Sequence, residues 1–194
     1  MSKKSILEWI IAIAIGLFLS WLLSTFIFAR YTVRGDSMFP SFHNSDQLVV
    51  SKISKNINTI HRGDVIIFHA NSKEDYIKRL IGIPGDKVQY KNDKLYINNK
   101  FIKEPYLKTN KKSKSTKYLT ENFNVSDLKF SNKQNTIPKN KYLVLGDNRT
   151  VSNDSRRDVG LLSKDKVVGK VIVRIFPLSQ FDYKFYPSSF NKVN

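Results

Sequence analysis

One uninterrupted apolar run, residues 9–29, limits the fold more than any other feature of the sequence. Its 21 residues contain no charge, and at ~1.5 Å per residue a helix of that length crosses a hydrocarbon core of ~30 Å. Residues 6–29 are therefore predicted to form a transmembrane anchor. A cleaved secretory signal has a shorter apolar region and a small-x-small site, which residues 26–29 do not supply, so the anchor is expected to stay uncleaved.

The charges that flank the apolar run predict its orientation. Residues 1–5 form a short basic head with Lys3 and Lys4, which together with the α-amino group favour a cytoplasmic N-terminus. Arg30 and Arg34 on the other side weaken this bias without reversing it. The chain from residue 30 onward is therefore expected outside the cytoplasm, in a single-pass protein of the cell membrane.

A net charge of +17, from 33 Lys plus Arg against 16 Asp plus Glu, indicates an anionic partner. For a membrane-attached chain, an anionic lipid surface or cell wall is expected rather than nucleic acid. The absence of Cys excludes disulfides, thiolate zinc sites and a cysteine nucleophile. Three scattered His lack the i, i+4 spacing of a zinc site, so neither a metal nor a cofactor is expected. The oligomeric state stays open.

Short segments of β-branched and aromatic residues, separated by turn signals, follow the anchor. Strands are predicted within residues 30–34, 47–53, 64–69, 76–83, 137–145 and 167–176, with a hairpin of 87–90 and 95–97 around a turn at 91–94. Residues 108–117 hold five Lys and no apolar pattern, so a mobile surface loop or hairpin tip is expected there. The whole predicts a mostly β domain with a folded-over or closed sheet.

A serine shortly after the anchor lies in a sequence suited to a tight turn. Gly35 can adopt a positive φ, and Pro40 fixes its own φ and restricts Phe39. The turn would hold the Ser37 hydroxyl and backbone N–H in a fixed direction close to the membrane. Taken locally, a polar residue in an ordinary turn fits the same pattern.

Lys78 lies in a predicted strand, where alternation places it on one face with Tyr76 and Leu80. A lysine that reaches solvent at a sheet edge is the commoner outcome for such a position. If the amine is instead desolvated, burial lowers its pKa, and the neutral amine can act as a general base toward Ser37.

Residues 146–156 contain two each of Asp, Asn, Ser and Arg, more polar groups than a turn requires. A hydroxyl such as that of Ser152 can orient a buried amine without restoring its charge. A carboxylate touching Lys78 would raise its pKa, so Asp147 and Asp154 are expected to pair with Arg149, Arg156 or Arg79 and to stiffen the loop.

Together these segments resemble the four motifs of bacterial type I signal peptidases, in the family's order and after an N-terminal anchor. The resemblance spans residues 5–178, and the short single anchor and Gly35 resemble the Gram-positive, staphylococcal-like branch. The matching segments are 37–41 (Ser-Met-Phe-Pro-Ser), 62–68 (Arg-Gly-Asp-Val-Ile-Ile-Phe), 78–86 (Lys-Arg-Leu-Ile-Gly-Ile-Pro-Gly-Asp), and 146–149 through 152–156 (Gly-Asp-Asn-Arg and Ser-Asn-Asp-Ser-Arg).

The resemblance implies a role for each motif residue. Ser37 would be the nucleophile and Lys78 the general base, Ser152 would orient the lysine, and Asp154 and Arg156 would support the loop. Ser41 replaces the usual Thr, which keeps the hydroxyl. Gly35 stands where some members have a Ser that contributes to the oxyanion hole, so the Ser37 N–H is the expected donor and the second donor is open.

The implied domain order is a cytoplasmic head (1–5), an anchor (6–29), a peptidase domain (30–178) and a tail (179–194). The peptidase domain would have a core of residues 30–86 and 141–178 and a smaller β sub-lobe of about 87–140. The tail is expected to pack irregularly or to fray.

The implied function is a membrane-anchored serine endopeptidase that removes signal peptides from preproteins. The substrate would pair as an extended strand with edges near residues 30–36 and 75–78. The predicted substrate-binding residues are Tyr31, Val33, Asp36, Tyr76 and Ile77. Three alternatives are a catalytically silent adaptor, a membrane-tethered polyanion-binding module, and a Ser-His-Asp site using His69, although the sequence has no Gly-x-Ser-x-Gly motif.

Overall fold

A computed structural model describes residues 3–56 and 59–194; Met1 and Ser2 of the predicted head lie outside the described residues. Helix α1 (Lys3–Ile27) contains a 22-residue stretch, Ile6–Ile27, of mean hydropathy 2.4, long and apolar enough to cross a membrane. Its described apolar side chains are almost all exposed, and the helix meets the domain at its C-terminal end, where Lys52 donates to the carbonyls of Thr25 and Ile27. The helix ends two residues before the predicted limit because Phe28 and Ala29 already pair with the next strand.

A seven-stranded antiparallel sheet forms the larger part of the domain, in the order β1-β2-β11-β3-β4-β9-β10. Strand β11 is paired on both sides, with β2 and β3, as its β-branched sequence predicted. The strands of this sheet are β1 (Phe28–Thr32), β2 (Gln47–Ser51), β3 (Val65–His69), β4 (Asp75–Gly82), β9 (Lys141–Leu145), β10 (Leu162–Ser163) and β11 (Val167–Phe176).

A smaller antiparallel sheet has the order β7-β6-β5-β8. The predicted hairpin is confirmed as β5 and β6, whose two-residue turn has positive φ at Asn92 and Asp93, as Asn and Asp tolerate. The strands are β5 (Val88–Lys91), β6 (Lys94–Ile97), β7 (Lys100–Ile102) and β8 (Phe123–Asn124).

The larger sheet folds over on itself. Strands β1 and β4 lie four places apart in the sheet, yet Tyr31 and Asp75, one from each strand, line the same groove and interact electrostatically. Curling of this kind buries one face of the sheet, and the buried residues there include Met38, Phe42 and Leu48, each with no exposed surface. The predicted mostly β fold with an N-terminal apolar helix is confirmed.

One segment differs from the sequence-based expectation. Residues 108–117 were expected to be a loop, but Lys108–Ser113 form a short helix, α3, with Asn110 buried. Among the described residues, a second short α-helix, α2, covers Ile53–Asn56. Of the two outcomes expected for the tail, the structure has the packed one: Phe190 is fully buried in the core of the smaller sheet, and Arg62 donates to the Val193 carbonyl at 2.6 Å.

Candidate active site

The turn that carries Ser37 is rigid for local reasons. Gly35 has φ +76°, the left-handed conformation that glycine permits, and its N–H donates to Asn44 Oδ1 at 2.9 Å. This amide is therefore already engaged, and its hydrogen bond helps to fix the shape of the turn. After Ser37, the side chains of Met38 and Phe42 are fully buried and hold the turn against the core.

Lys78 projects from β4 to the Ser37 turn (residues 35–42). Its Nζ forms hydrogen bonds of 2.7 Å with Ser37 Oγ and 3.0 Å with the Ile77 carbonyl, and it lies 5.2 Å from the centre of the Tyr76 ring. The residue is only 3% exposed. Burial lowers the pKa of Lys78 from 10.5 to about 8, although the negative charges of Asp154 and Asp147 act against this shift. A substantial fraction of the amine is thus neutral slightly above neutral pH.

The loop after β9 is built around a buried carboxylate. Asp154 accepts from the Gly146 N–H at 2.9 Å and from Arg156 Nη2 at 2.8 Å. Burial acts to raise the pKa of Asp154, but the hydrogen bond and charge of Arg156 outweigh it, so the pKa lies below its usual range. Asp154 therefore stays ionised and fixes the loop, as its predicted pairing with Arg156 requires.

Ser152 is fully buried in the same loop. Its Oγ has no hydrogen-bond partner of ordinary geometry among the described residues, although it lies near enough to Asp154 to help lower the pKa of that carboxyl. A Cβ added to Gly146 would lie 2.2 Å from Ser152 Oγ and 2.5 Å from the Ser37 carbonyl oxygen. Glycine is therefore the only residue type that fits at position 146, between this loop and the Ser37 turn.

Arg79, next to Lys78, meets the second predicted carboxylate. Its guanidinium binds Asp147 through two nitrogens, at 2.7 and 3.0 Å, and both residues are buried. Ser41 Oγ donates to the same carboxylate at 2.5 Å, so the hydroxyl at this position helps to hold Asp147 in place. The third predicted arginine, Arg149, is also buried, but it pairs with Glu104 rather than with a loop carboxylate.

Asn110 is a site residue that the sequence analysis missed. It lies in α3, and its side-chain nitrogen donates to the carbonyls of Phe39 at 2.7 Å and Asp147 at 2.9 Å. One amide in a lysine-rich segment carries no pattern that distinguishes it from a surface residue, so no sequence signal was available to find it.

A groove of about 820 Å³ opens beside the Ser37–Lys78 pair, between β1 and the β3–β4 hairpin. Four of the predicted substrate-binding residues line it, whereas Asp36 is exposed outside its lining. Burial raises the pKa of Tyr31 to about 12, with help from its interaction with Asp75. The four predicted residues that line the groove are Tyr31, Val33, Tyr76 and Ile77.

The histidines do not form the alternative base. His69 Nδ1 lies 2.6 Å from Asp75 Oδ1, and the side chain is 62% exposed on the groove wall. The side chain of His61 is also largely exposed, at 55%, while the His43 ring packs edge-on against Phe39. The group that contacts Ser37 Oγ is the Lys78 amine.

Comparison with known proteins agrees with this geometry. The family described as signal peptidase, peptidase S26, matches residues 6–176. Signal peptidase IB of Staphylococcus aureus (strain MRSA252) is 48% identical over 188 residues, which cover 96% of this chain and 98% of the relative. Signal peptidase I S of Bacillus subtilis (strain 168) is 42% identical over 181 residues, covering 92% of this chain and 93% of the relative.

Among solved structures, a signal peptidase I from Enterococcus faecalis V583 has the same fold. Its crystal structure matches with a TM-score of 0.52 and 38% sequence identity, and the match covers 57% of this chain and 95% of that chain. The fold of this chain and its similarity to these proteins identify it as a peptidase. The chain belongs to the signal peptidase family, peptidase S26, and within it to the bacterial type I enzymes of the Gram-positive branch. Removal of signal peptides is the activity of this family.

Proposed function

We propose that this protein is a membrane-anchored serine endopeptidase that cleaves signal peptides with Ser37 and Lys78 as a catalytic dyad. The observation that carries the proposal is the 2.7 Å contact between Lys78 Nζ and Ser37 Oγ, with the lysine buried and its pKa lowered to about 8. A hydroxyl next to a neutral amine is the arrangement that nucleophilic catalysis without histidine requires.

In the first half of the reaction, the neutral Lys78 amine takes the Ser37 proton as Oγ attacks the scissile carbonyl. The negative charge that develops on the carbonyl oxygen is stabilised by the Ser37 backbone N–H, with a second donor still to be identified. Lys78, now an ammonium, gives the proton to the leaving amine, and the signal peptide remains as an ester on Ser37. In the second half, Lys78 takes a proton from water, which hydrolyses the ester and restores the free hydroxyl.

The loop keeps the dyad in place. Ser152 is proposed to orient the Lys78 amine, since a hydroxyl can do so without adding a charge. Asp154 and Arg156 hold that loop through their buried ion pair. The intact Ser37 and Lys78 argue against a catalytically silent adaptor, because an adaptor has no need to keep a lysine desolvated beside a serine.

The substrate is proposed to lie extended in the groove, where β1 and β4 offer backbone groups for strand addition. Tyr31, Val33, Tyr76 and Ile77 would contact its side chains. Small S1 and S3 pockets with a small-x-small preference are what the family resemblance implies. Tyr31 and Asp75 lie on opposite walls of this groove and interact with each other, so substrate entry would require that contact to adapt.

The apolar helix α1 is proposed to anchor the enzyme in the cell membrane as a single pass, with the N-terminus in the cytoplasm and the domain outside. Of the total charge of +17, +16 lies at or after Arg30. An excess of this size would attract the domain to an anionic lipid surface. No role for nucleic acid is proposed.

Cleavage of a preprotein by the detergent-solubilised full chain tests the proposed function. Ser37→Ala should abolish processing and leave the thermal unfolding midpoint nearly unchanged, because the turn is held by Gly35, Met38 and Phe42. Ser115→Ala, at an exposed serine of the smaller lobe, is the control and should cleave normally. Processing by folded Ser37→Ala would refute the assignment.

A further inference from the structure

The short helix α3 has one buried residue, and that residue points at the active site rather than at the core of its own lobe. Asn110 is 7% exposed, whereas its neighbours Thr109 and Lys112 are exposed. The helix belongs to the segment between β7 and β8, so Asn110 reaches from the smaller lobe to the larger sheet.

The Asn110 carboxamide joins two separate stretches of chain. Its Nδ2 donates to the carbonyl oxygens of Phe39, at 2.7 Å, and of Asp147, at 2.9 Å. Both partners are acceptors, so only the NH₂ end of the amide can make this bridge. A buried carbonyl that loses such a donor is left without a hydrogen bond, so removing the bridge costs free energy of folding.

The two bridged carbonyls belong to the two halves of the proposed site. Phe39 lies two residues after Ser37, in the Ser37 turn, while Asp147 lies at the start of the loop that carries Ser152. These halves already touch through the Asn148 N–H, which donates to the Ser37 carbonyl at 3.0 Å, and through Gly146, where no Cβ fits. Asn110 adds a further contact to that junction, from a third stretch of the chain.

We propose that Asn110 is a positioning residue that fixes the separation between the Ser37 turn and the loop bearing Ser152. Because the 2.7 Å Ser37–Lys78 contact depends on where the turn lies, loosening this junction would misplace the hydroxyl relative to the amine. A misplacement of about 1 Å can reduce a rate about 100-fold while substrate binding is retained. This inference rests on the proposed function, since it concerns the same reaction.

Two substitutions of Asn110 test the role. Asn110→Asp keeps the shape but replaces both donors with a carboxylate that faces two carbonyl oxygens, and Asn110→Ala removes the bridge. Asn135→Asp makes the same chemical change at an exposed position of the same lobe and is the matched control. The full chain in detergent is assayed for kcat and KM on a preprotein, with the folded fraction at the assay temperature measured by thermal unfolding.

Per folded molecule, kcat should fall about 100-fold in Asn110→Asp and about 10-fold in Asn110→Ala, with KM within about twofold of wild type. Asn135→Asp should be unchanged. The proposal is overturned if kcat per folded molecule is preserved, if only KM rises, or if activity is lost only in proportion to unfolding. If Asn110→Asp fails to fold, Asn110→Ala decides, and failure of both to fold would make Asn110 a purely structural residue.

Ser37→Ala in the same assay separates this inference from the proposed function. An inactive Ser37→Ala together with fully active Asn110 variants overturns the positioning role alone. Processing by Ser37→Ala overturns the proposed dyad itself.

Discussion

Two adjacent buried basic residues on β4 have pKa values that are shifted in opposite directions. Arg79 binds the Asp147 carboxylate through two nitrogens, and although burial acts to lower its pKa, that carboxylate outweighs the effect and the pKa lies above its usual value. Lys78 instead has the Ser37 hydroxyl and the Ile77 carbonyl as partners, and its pKa falls to about 8. One side chain therefore keeps its charge as a structural ion, while its neighbour can lose it and act as a base.

The lowered pKa of Lys78 predicts a stability cost that depends on pH. Between pH 8 and 10.5 the unfolded chain binds the Lys78 proton more readily than the folded chain, so stability rises with pH in that window. Below pH 8 the full cost is present, and a shift of this size corresponds to about 3 kcal/mol. Lys78→Met, which cannot be charged, should therefore gain stability relative to wild type at pH 7 and lose that advantage by pH 10.5.

Thermal unfolding of both proteins in the same detergent across this range measures the effect. Other titrating groups contribute equally to the two proteins, so they cancel in the difference between them. A difference that does not change with pH would show that Lys78 is not desolvated in the folded state.

At the scale of elements, the loop after β9 supplies several of the buried side chains that surround the site. It presents Asp147 to Arg79, Asp154 to Arg156 and Ser152 to the interior, all of them buried. Breaking a buried ion pair by removing one partner leaves a charge without compensation, which typically costs about 3–5 kcal/mol. The loop is therefore a rigid element that holds one wall of the site.

Gly146→Ala should disrupt the junction between this loop and the Ser37 turn. The added Cβ would lie 2.2 Å from Ser152 Oγ and 2.5 Å from the Ser37 carbonyl oxygen, so the backbones must separate. We expect cleavage to fall about 100-fold or more, because the displaced atoms adjoin the dyad. Gly16→Ala, where a Cβ meets nothing within 4 Å, is the matched control in single-turnover assays. Normal cleavage by Gly146→Ala would mean that the junction is not tightly fitted.

Local patterns predicted the elements in which nearby residues decide the conformation. The β5–β6 hairpin follows from alternation and from Asn92 and Asp93, which tolerate positive φ. Strand β11 follows from its β-branched sequence. Helix α3 was missed because Lys, Thr and Asn gave no apolar period, and the helix is held by contacts such as the bridge from Asn110 to Phe39, 71 positions away.

The site shows the same limit on sequence reasoning. The requirement that no carboxylate touch Lys78 predicted that Asp147 and Asp154 pair with arginines, but only the structure shows that Asp147 takes Arg79 and Asp154 takes Arg156. Arg149 pairs instead with Glu104, 45 positions earlier, in a segment that the sequence did not connect to the loop. Partners of this kind depend on how the smaller lobe docks on the larger sheet, which no local pattern encodes.

At the scale of the whole molecule, α1 and the charge of the domain describe how the enzyme would sit at a membrane. The helix is apolar and its hydrophobic window is not buried in the protein, while the chain after it carries +16 of the net charge of +17. The groove and the dyad lie in the part of the chain that begins directly after the helix, at β1. This arrangement would keep the site close to the membrane surface from which preproteins emerge.

The proposed orientation predicts which end of the chain is accessible on intact cells. Protease added to protoplasts should degrade a tag placed at the C-terminus and should leave a tag placed at the N-terminus intact. Permeabilised protoplasts are the control, in which both tags should be lost. Protection of the C-terminal tag on intact protoplasts would show that the domain faces the cytoplasm.

The most direct test of the central claim, that a neutral Lys78 amine activates Ser37, is the pH dependence of single-turnover cleavage. The wild-type rate should rise about tenfold per pH unit below an apparent pKa near 8 and level off above it, because only the neutral amine accepts the Ser37 proton. Lys78→Arg, which keeps a cation that does not deprotonate in proteins, should be inactive across the range. Cleavage by Lys78→Arg, or a wild-type rate that does not change between pH 6 and 9, would contradict the account.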